Sequence, residues 1–116
     1  MAKFRNKELR FRLWIDIDGQ RFFGPGRAEL LQLIDDTGSI SKAAKGMGMS
    51  YKKAWAMVDE LNDKAFTPYV ITQKGGKKGG GAELTKAGKD IVKTYRKVLA
   101  KVSSVLDKHK SLLDLV

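Results

Sequence analysis

Residues 37–62 read TGSISKAAKGMGMSYKKAWAMVDELN, and the way this stretch divides into elements decides the fold. A serine hydroxyl accepts a hydrogen bond from an unpaired amide of an opening helical turn, so Ser39 or Ser41 predicts the start of a first helix. Ala43 and Ala44 give that helix small side chains on its buried face. Gly46 and Gly48 flank Met47, and glycine reaches left-handed backbone angles at little cost, which predicts a sharp turn. Ser50 caps a second helix. Along it Ala54, Val58 and Leu61 fall at the i, i+4, i+7 spacing of one buried stripe, leaving Tyr51, Lys52, Lys53 and Ala56 nearer the outside.

Two short helices, a tight turn, small residues at the crossing and a polar, basic start to the second helix match a helix-turn-helix. In that motif the first helix buttresses the second, whose N-terminal residues enter a DNA major groove. A plain helical hairpin with a charged, solvated face fits the same residues, and the flanking segments separate the two readings.

At 116 residues the chain fits one domain with a modest core. Its 23 basic against 13 acidic residues give a formal net charge of +10, which favours a polyanionic partner, either nucleic acid or an anionic membrane surface. Without cysteine there is neither a disulfide framework nor a thiolate metal site, and the single histidine, His109, argues against a histidine cluster. No metal or other cofactor is expected. An apolar run of the roughly 20 residues needed to cross a bilayer is missing, as is a cleavable secretory signal, so the expected location is the cytoplasm. Paired carboxylates and nucleophile–base combinations do not occur at useful spacing, and Asp35-Asp36 reads as a solvated helix end; no catalytic residue is assigned and the chain is not expected to be an enzyme.

Residues 1–7 carry Lys3, Arg5 and Lys7 without periodicity. From Leu9 the chain alternates: Leu9, Phe11, Leu13, Ile15 and Ile17 against Arg10, Arg12, Trp14 and Asp16, the period-2 pattern of a strand with one buried face. Asp18-Gly19 is a favoured two-residue hairpin turn, and residues 20–23 return as the second strand of a hairpin over 9–23. Gly24-Pro25-Gly26 ends the hairpin, and Ala28, Leu30, Leu31, Leu33 and Ile34 then make an amphipathic helix ending near Gly38. A dinucleotide-binding loop at Gly24–Gly26 is excluded, because Glu29 stands where the third glycine belongs.

After the second helix of the central motif, Thr67-Pro68 breaks the chain and residues 69–72 read as β. Residues 74–85, KGGKKGGGAELT, hold five glycines and three lysines. Two short strands joined by a flexible basic tip form a wing, in which Lys74, Lys77 and Lys78 supply charge to phosphates. A P-loop is excluded because no Gly-Lys-Ser/Thr closes the segment, and a glycine-rich linker would need no lysine cluster. Thr85 caps a final helix over 86–116. There Ile91, Tyr95, Val98, Val102, Val105, His109, Leu112 and Val116 step by alternate fours and threes, beside a column of Val92, Leu99, Leu106 and Leu113. This stripe is wider than one small domain needs, and a helix of that length reaches about 45 Å. It predicts a homodimer through Ile91, Tyr95, Val98, Leu99, Val102, Val105, Leu106, Leu112 and Leu113, with the start of the helix on its own domain.

With these pieces in place, GSISKAAKGMGMSYKKAWAMVDELN at 38–62 and GGKKGGGAELTKAGKDIV at 75–92 closely resemble the N-terminal DNA-binding domain of the molybdate-responsive ModE family, a winged helix-turn-helix related to that of LysR-type regulators. The resemblance runs from about Leu9 through the long helix, and its specific parts are the SYKKAW helix start and the glycine-lysine wing. It implies a dimeric, sequence-specific, DNA-binding transcriptional regulator. By position, Ser50, Tyr51, Lys52 and Lys53 would be recognition-helix contacts and Lys74, Lys77 and Lys78 wing contacts, with Ser41 and Lys42 beside them. Family members carry an oxyanion-binding module after the long helix, whereas the sequence here ends at Val116, so molybdate sensing is not carried over and no small-molecule ligand is expected.

The expected fold is therefore mainly α with small β elements: a winged helix-turn-helix domain over 1–85, with its helix-turn-helix at 39–64 and wing at 69–84, followed by a dimerisation helix at 86–116. The expected partners are double-stranded DNA and a second copy of the chain. A winged-helix adaptor that binds other proteins through the long helix is the alternative.

Overall fold

The computed structural model describes residues 5–76 and 79–116, with side chains outside 74–80. In order, β1 (Ile15–Ile17) and β2 (Gln20–Phe23) form a hairpin. Helices α1 (Pro25–Thr37), α2 (Ile40–Gly46) and α3 (Tyr51–Lys64) follow. Strands β3 (Val70–Gly76) and β4 (Gly79–Leu84) pair antiparallel, and α4 (Lys86–Asp107) leads to a 3-10 helix at Lys110–Leu115. This is the mainly helical winged-helix architecture that the sequence predicts, with a long C-terminal helix.

The core gathers on α1, whose Leu30, Leu31 and Ile34 are fully buried together with Phe23 of the hairpin and Val58 and Leu61 of α3. Ala43, Ala44 and Ala54 are buried at the α2–α3 crossing, where larger side chains would hold the helices apart. All three predicted starts have their caps: Ser39 Oγ accepts from Lys42 N (3.1 Å), Ser50 Oγ from Lys53 N (3.1 Å) and Thr85 Oγ1 from Gly88 N (3.0 Å). Of the two glycines around Met47, Gly48 makes the turn with φ +66°, while Gly46 closes α2 in helical conformation.

The hairpin turns at Asp18 (φ 50°) and Gly19 (φ 78°), as both positions of a tight two-residue turn require. Its first strand is much shorter than the alternation suggests. Residues 9–14 form no ladder and lie beside α4: Tyr95 Oη donates to Leu13 O (2.8 Å), Leu9 and Phe11 share a cleft with Ser103, Leu106 and Leu113, and Lys7 Nζ donates to Leu113 O (3.0 Å) and Val116 O (2.8 Å). Leu9, Phe11 and Leu13 are half-buried, whereas Arg10, Arg12 and Trp14 are exposed. The period of two reports an extended backbone with one covered face, and here a helix covers it.

α4 also departs from expectation, since it ends at Asp107 and not at Val116. In a continuing α-helix the His109 amide would bond Val105 O. Instead it bonds Leu106 O (3.0 Å), and the imidazole Nδ1, carrying its proton, takes Val105 O at 2.8 Å. Val105 O also accepts from Lys108 N (3.1 Å), so the shift to i−3 carbonyls starts at Lys108 and the chain tightens into the 3-10 helix.

Asn62 ties the end of α3 to the start of the wing. Its Oδ1 accepts from Tyr69 N (2.8 Å) and Val70 N (3.0 Å), and its Nδ2 donates to Val70 O (3.0 Å). A second tie runs from Ala82 N to Gly38 O (2.9 Å), so the wing is held at both the recognition helix and the α1–α2 turn. Asn62→Ala leaves part-buried backbone groups without partners, at about 1–3 kcal/mol for such a group. We expect the variant to lose roughly 2 kcal/mol in urea unfolding; an unchanged midpoint would show that the tie carries no stability.

Candidate nucleic-acid interface

Helix α3 presents its first two turns outward. Tyr51 is 53% exposed, and Lys52, Lys53 and Ala56 are also exposed, while Ala54, Val58 and Leu61 fill the core side. Lys52, Ala56, Asp59 and Asp63 recur at helical spacing on one outward stripe, and all four are exposed. This stripe therefore changes sign along its length. A polyanion is attracted to the N-terminal half and repelled from the rest, with about 10 Å of helix rise between Lys52 and Asp59. The charge on this stripe thus favours an anion at the N-terminal end of the helix.

The cap uses an acceptor site of Ser50 Oγ and leaves its hydroxyl hydrogen available. Ser41, at the exposed start of α2, lines a cleft with Tyr51 at the same end of α3, and its neighbour Lys42 is exposed. On the other side of that cleft stands the wing. β3 pairs with β4 through Val70↔Leu84, Ile71↔Glu83, Thr72↔Ala82 and Gln73↔Gly81, which turns Val70, Ala82 and Leu84 into the core and leaves Ile71 and Gln73 outside. Lys74 lies within β3, but its side chain, like Lys77 and Lys78 altogether, lies outside the described residues.

Three features of this region were not among the sequence-derived candidates. Trp55 packs edge-to-face on Tyr51 (centroids 6.2 Å apart) and joins Thr72 and Gln73 in lining the cleft. The i, i+4 spacing of Tyr51 and Trp55 was the available signal; nothing local to Thr72 or Gln73 marks them. The third feature braces the helix from behind. Arg27 donates through Nη1 to Phe22 O (2.7 Å) and pairs through Nη2 with Glu60, which Lys64 also meets at 3.0 Å.

The Arg27 hydrogen bond, followed by that of Lys64, holds the Glu60 carboxyl below its ordinary range. A carboxyl lowered in the folded state contributes stability that is present above its unfolded pKa and is lost as pH falls through the folded value. Glu60→Gln should thus be less stable than the parent near neutrality, with the gap closing as pH falls below the ordinary carboxyl range. Urea midpoints across a pH series measure this, and a gap independent of pH would disprove the coupling.

Of the residues proposed for dimerisation, Tyr95 belongs to the chain's own core. It is 4% exposed, sits edge-on to Phe23 at 5.2 Å and bonds Leu13, and burial raises its phenol pKa. Ile91 and Leu99 also pack partly against that core, and Leu106 and Leu113 line the cleft shared with the N-terminal segment. Val102 is half-buried, whereas Val98, Val105 and Leu112 are exposed at 38%, 55% and 55%. Among the described residues, no helix is long and apolar enough to cross a membrane.

No family model matches the chain. Its sequence is 39% identical over 97 residues to the molybdenum transport protein ModE of Azotobacter vinelandii, a match covering 84% of this chain and 36% of that protein. Against the DNA-binding transcriptional dual regulator ModE of Escherichia coli (strain K12) it is 40% identical over 83 residues, covering 72% and 32%. The chain is homologous to part of the proteins named ModE. It spans about a third of the length of the ModE proteins it matches. Among solved structures, this ModE homologue superposes on the crystal structure of a CbnR_DBD–DNA complex with a TM-score of 0.57 at 17% identity, over 76% of this chain and 95% of that one. Full-length LysG from Corynebacterium glutamicum with bound effector Arg gives 0.57 at 20% identity, over 81% and 30%. These two likenesses establish the shared winged-helix fold.

Proposed function

We propose that the chain is a sequence-specific, double-stranded-DNA-binding transcriptional regulator of the cytoplasm that acts as a homodimer. The observation that carries this reading is the capped, outward start of α3, basic over Lys52 and Lys53 and followed on the same face by Asp59 and Asp63, which favours end-on docking in a major groove. Kinship with a protein named a DNA-binding transcriptional dual regulator supports it. Lysine–phosphate contacts from Lys42, Lys53 and the wing lysines supply most of the affinity, and Lys52 with the Ser50 hydroxyl reads base edges. Pairing through the exposed Val98 and Val105 of α4 and Leu112 of the 3-10 helix sets two such helices on one duplex. The chain is 66 Å long against 30 and 23 Å across, so the end of α4 projects well clear of the core.

The test is recovery of bound fragments from a genomic DNA library, with sizing of the free protein. A palindromic motif and a dimer of about twice the 12.9 kDa chain mass are expected. Equally weak binding of all duplexes would instead select the protein adaptor, which the exposed valines of α4 favour. Parallel arms with molybdate and tungstate, prompted by the molybdenum in the relatives' names, show whether an oxyanion changes the fragments recovered.

A further inference from the structure

Between α3 and the wing lies a cleft of ≈ 190 Å³ whose lining, among the described residues, holds no charged side chain. Ser41 comes from α2, Tyr51 and Trp55 from α3, and Thr72 and Gln73 from β3. Most other hydroxyls nearby are engaged within the fold. Ser39, Ser50 and Thr85 cap helices, and Thr37 donates to Leu33 O at 2.6 Å. The Ser41 and Thr72 hydroxyls, the Tyr51 phenol, the Trp55 indole N–H and the Gln73 amide make no side-chain hydrogen bond among the described residues. Five neutral polar residues thus line one cleft inside a basic surface.

On B-DNA, a major groove and its adjacent minor groove are separated by one sugar-phosphate strand. A protein with a helix in the first and a wing on the second must present to that strand the surface joining the two. In this fold that surface is the cleft. We infer that its uncharged donors form a clamp for one backbone segment. Ser41, Thr72 and the Trp55 N–H donate to phosphate oxygens, Gln73 closes the wing side, and the Tyr51–Trp55 pair covers the deoxyribose. The inference rests on the DNA reading and refines it: Tyr51 becomes a backbone contact, and base reading concentrates on Lys52. Neutral donors to a phosphate add affinity without adding counterion release, and they distinguish no sequence.

The experiment uses the full chain and two duplexes, one enriched from the genomic library and one scrambled version of it. Affinities are measured by fluorescence anisotropy from about 50 to 200 mM salt, the range over which counterion release is readily seen. Ser41→Ala and Thr72→Val, at exposed positions, should each weaken binding to both duplexes by about tenfold, as loss of a hydrogen bond to a charged group does. The slope of log affinity against log salt should not change. Trp55→Phe, which keeps the ring and removes the N–H, should do the same, and thermal melting checks its fold. A duplex series with single methylphosphonates should contain one position that weakens the parent and leaves Thr72→Val indifferent.

Variants that bind as tightly as the parent, change its preference between duplexes, or alter the salt slope would each overturn the clamp while leaving the DNA reading in place. A parent that binds no duplex would remove both.

Discussion

Gly88→Ala should cost much stability, since among the described glycines it is the one whose added Cβ would meet backbone closer than 3.0 Å. On helix propensity the substitution ought to help, by about 1 kcal/mol. The surroundings reverse the sign. Gly88 is buried in the first turn of α4, and a Cβ there would lie 2.3 Å from Tyr69 O and 3.1 Å from Tyr69 C. Those are backbone atoms, held in place because the same carbonyl accepts from Thr85 N at 2.9 Å while Asn62 holds the Tyr69 amide. No rotamer change relieves the contact, so either α4 lifts from the wing or the β3 start moves, and both undo the packing of Val92 and Leu84. An expected loss of about 3 kcal/mol or more corresponds to a Tm lower by more than about 10 °C for a domain of this size. Gly46→Ala is the control, since its Cβ meets only the side chain of Leu33, at 3.4 Å, and propensity should make it neutral or stabilising. Circular dichroism melts of the two variants decide the matter; equal Tm values would show that the α4–β3 contact yields freely.

The elements that could be read in advance are those whose signals are local. Ser50 before a buried stripe, Asp18-Gly19 between short runs and Thr85 before an unbroken helical segment each act within a few residues, and each is found in its expected role. Residues 9–14 show where such reading stops. Their alternation is real, but it reports the backbone's conformation and says nothing of whether a strand or a helix covers the apolar side. Heptad spacing has the same ambiguity: Tyr95 falls in the stripe because it packs on Phe23 and Leu13 of its own chain. At the helix end the amides of Lys108 and His109 shift to i−3 carbonyls, a change that no periodicity detects. The candidate clamp was the least legible part. Ser41, Trp55 and Thr72 come from three elements, and only the fold brings them together.

Replacing both Lys77 and Lys78 with alanine should give the largest change in DNA affinity. Each lysine–phosphate contact contributes about 0.9 to the slope of log affinity against log salt, so the pair accounts for about 1.8. If affinities converge near 1 M salt, the loss is about 200-fold at 50 mM and about 20-fold at 200 mM, and it should be the same for enriched and scrambled duplexes. Lys52→Ala differs in kind. Its side chain stands on the outward stripe of α3, where a base contact discriminates by about 1–3 kcal/mol, so the enriched duplex should lose far more than the scrambled one. The two variants divide affinity between a term that depends on ionic strength and a term that depends on sequence. A wing pair that changed sequence preference without flattening the salt slope would reverse the assignment, placing the lysines at base edges and leaving the start of α3 to position the protein on the backbone.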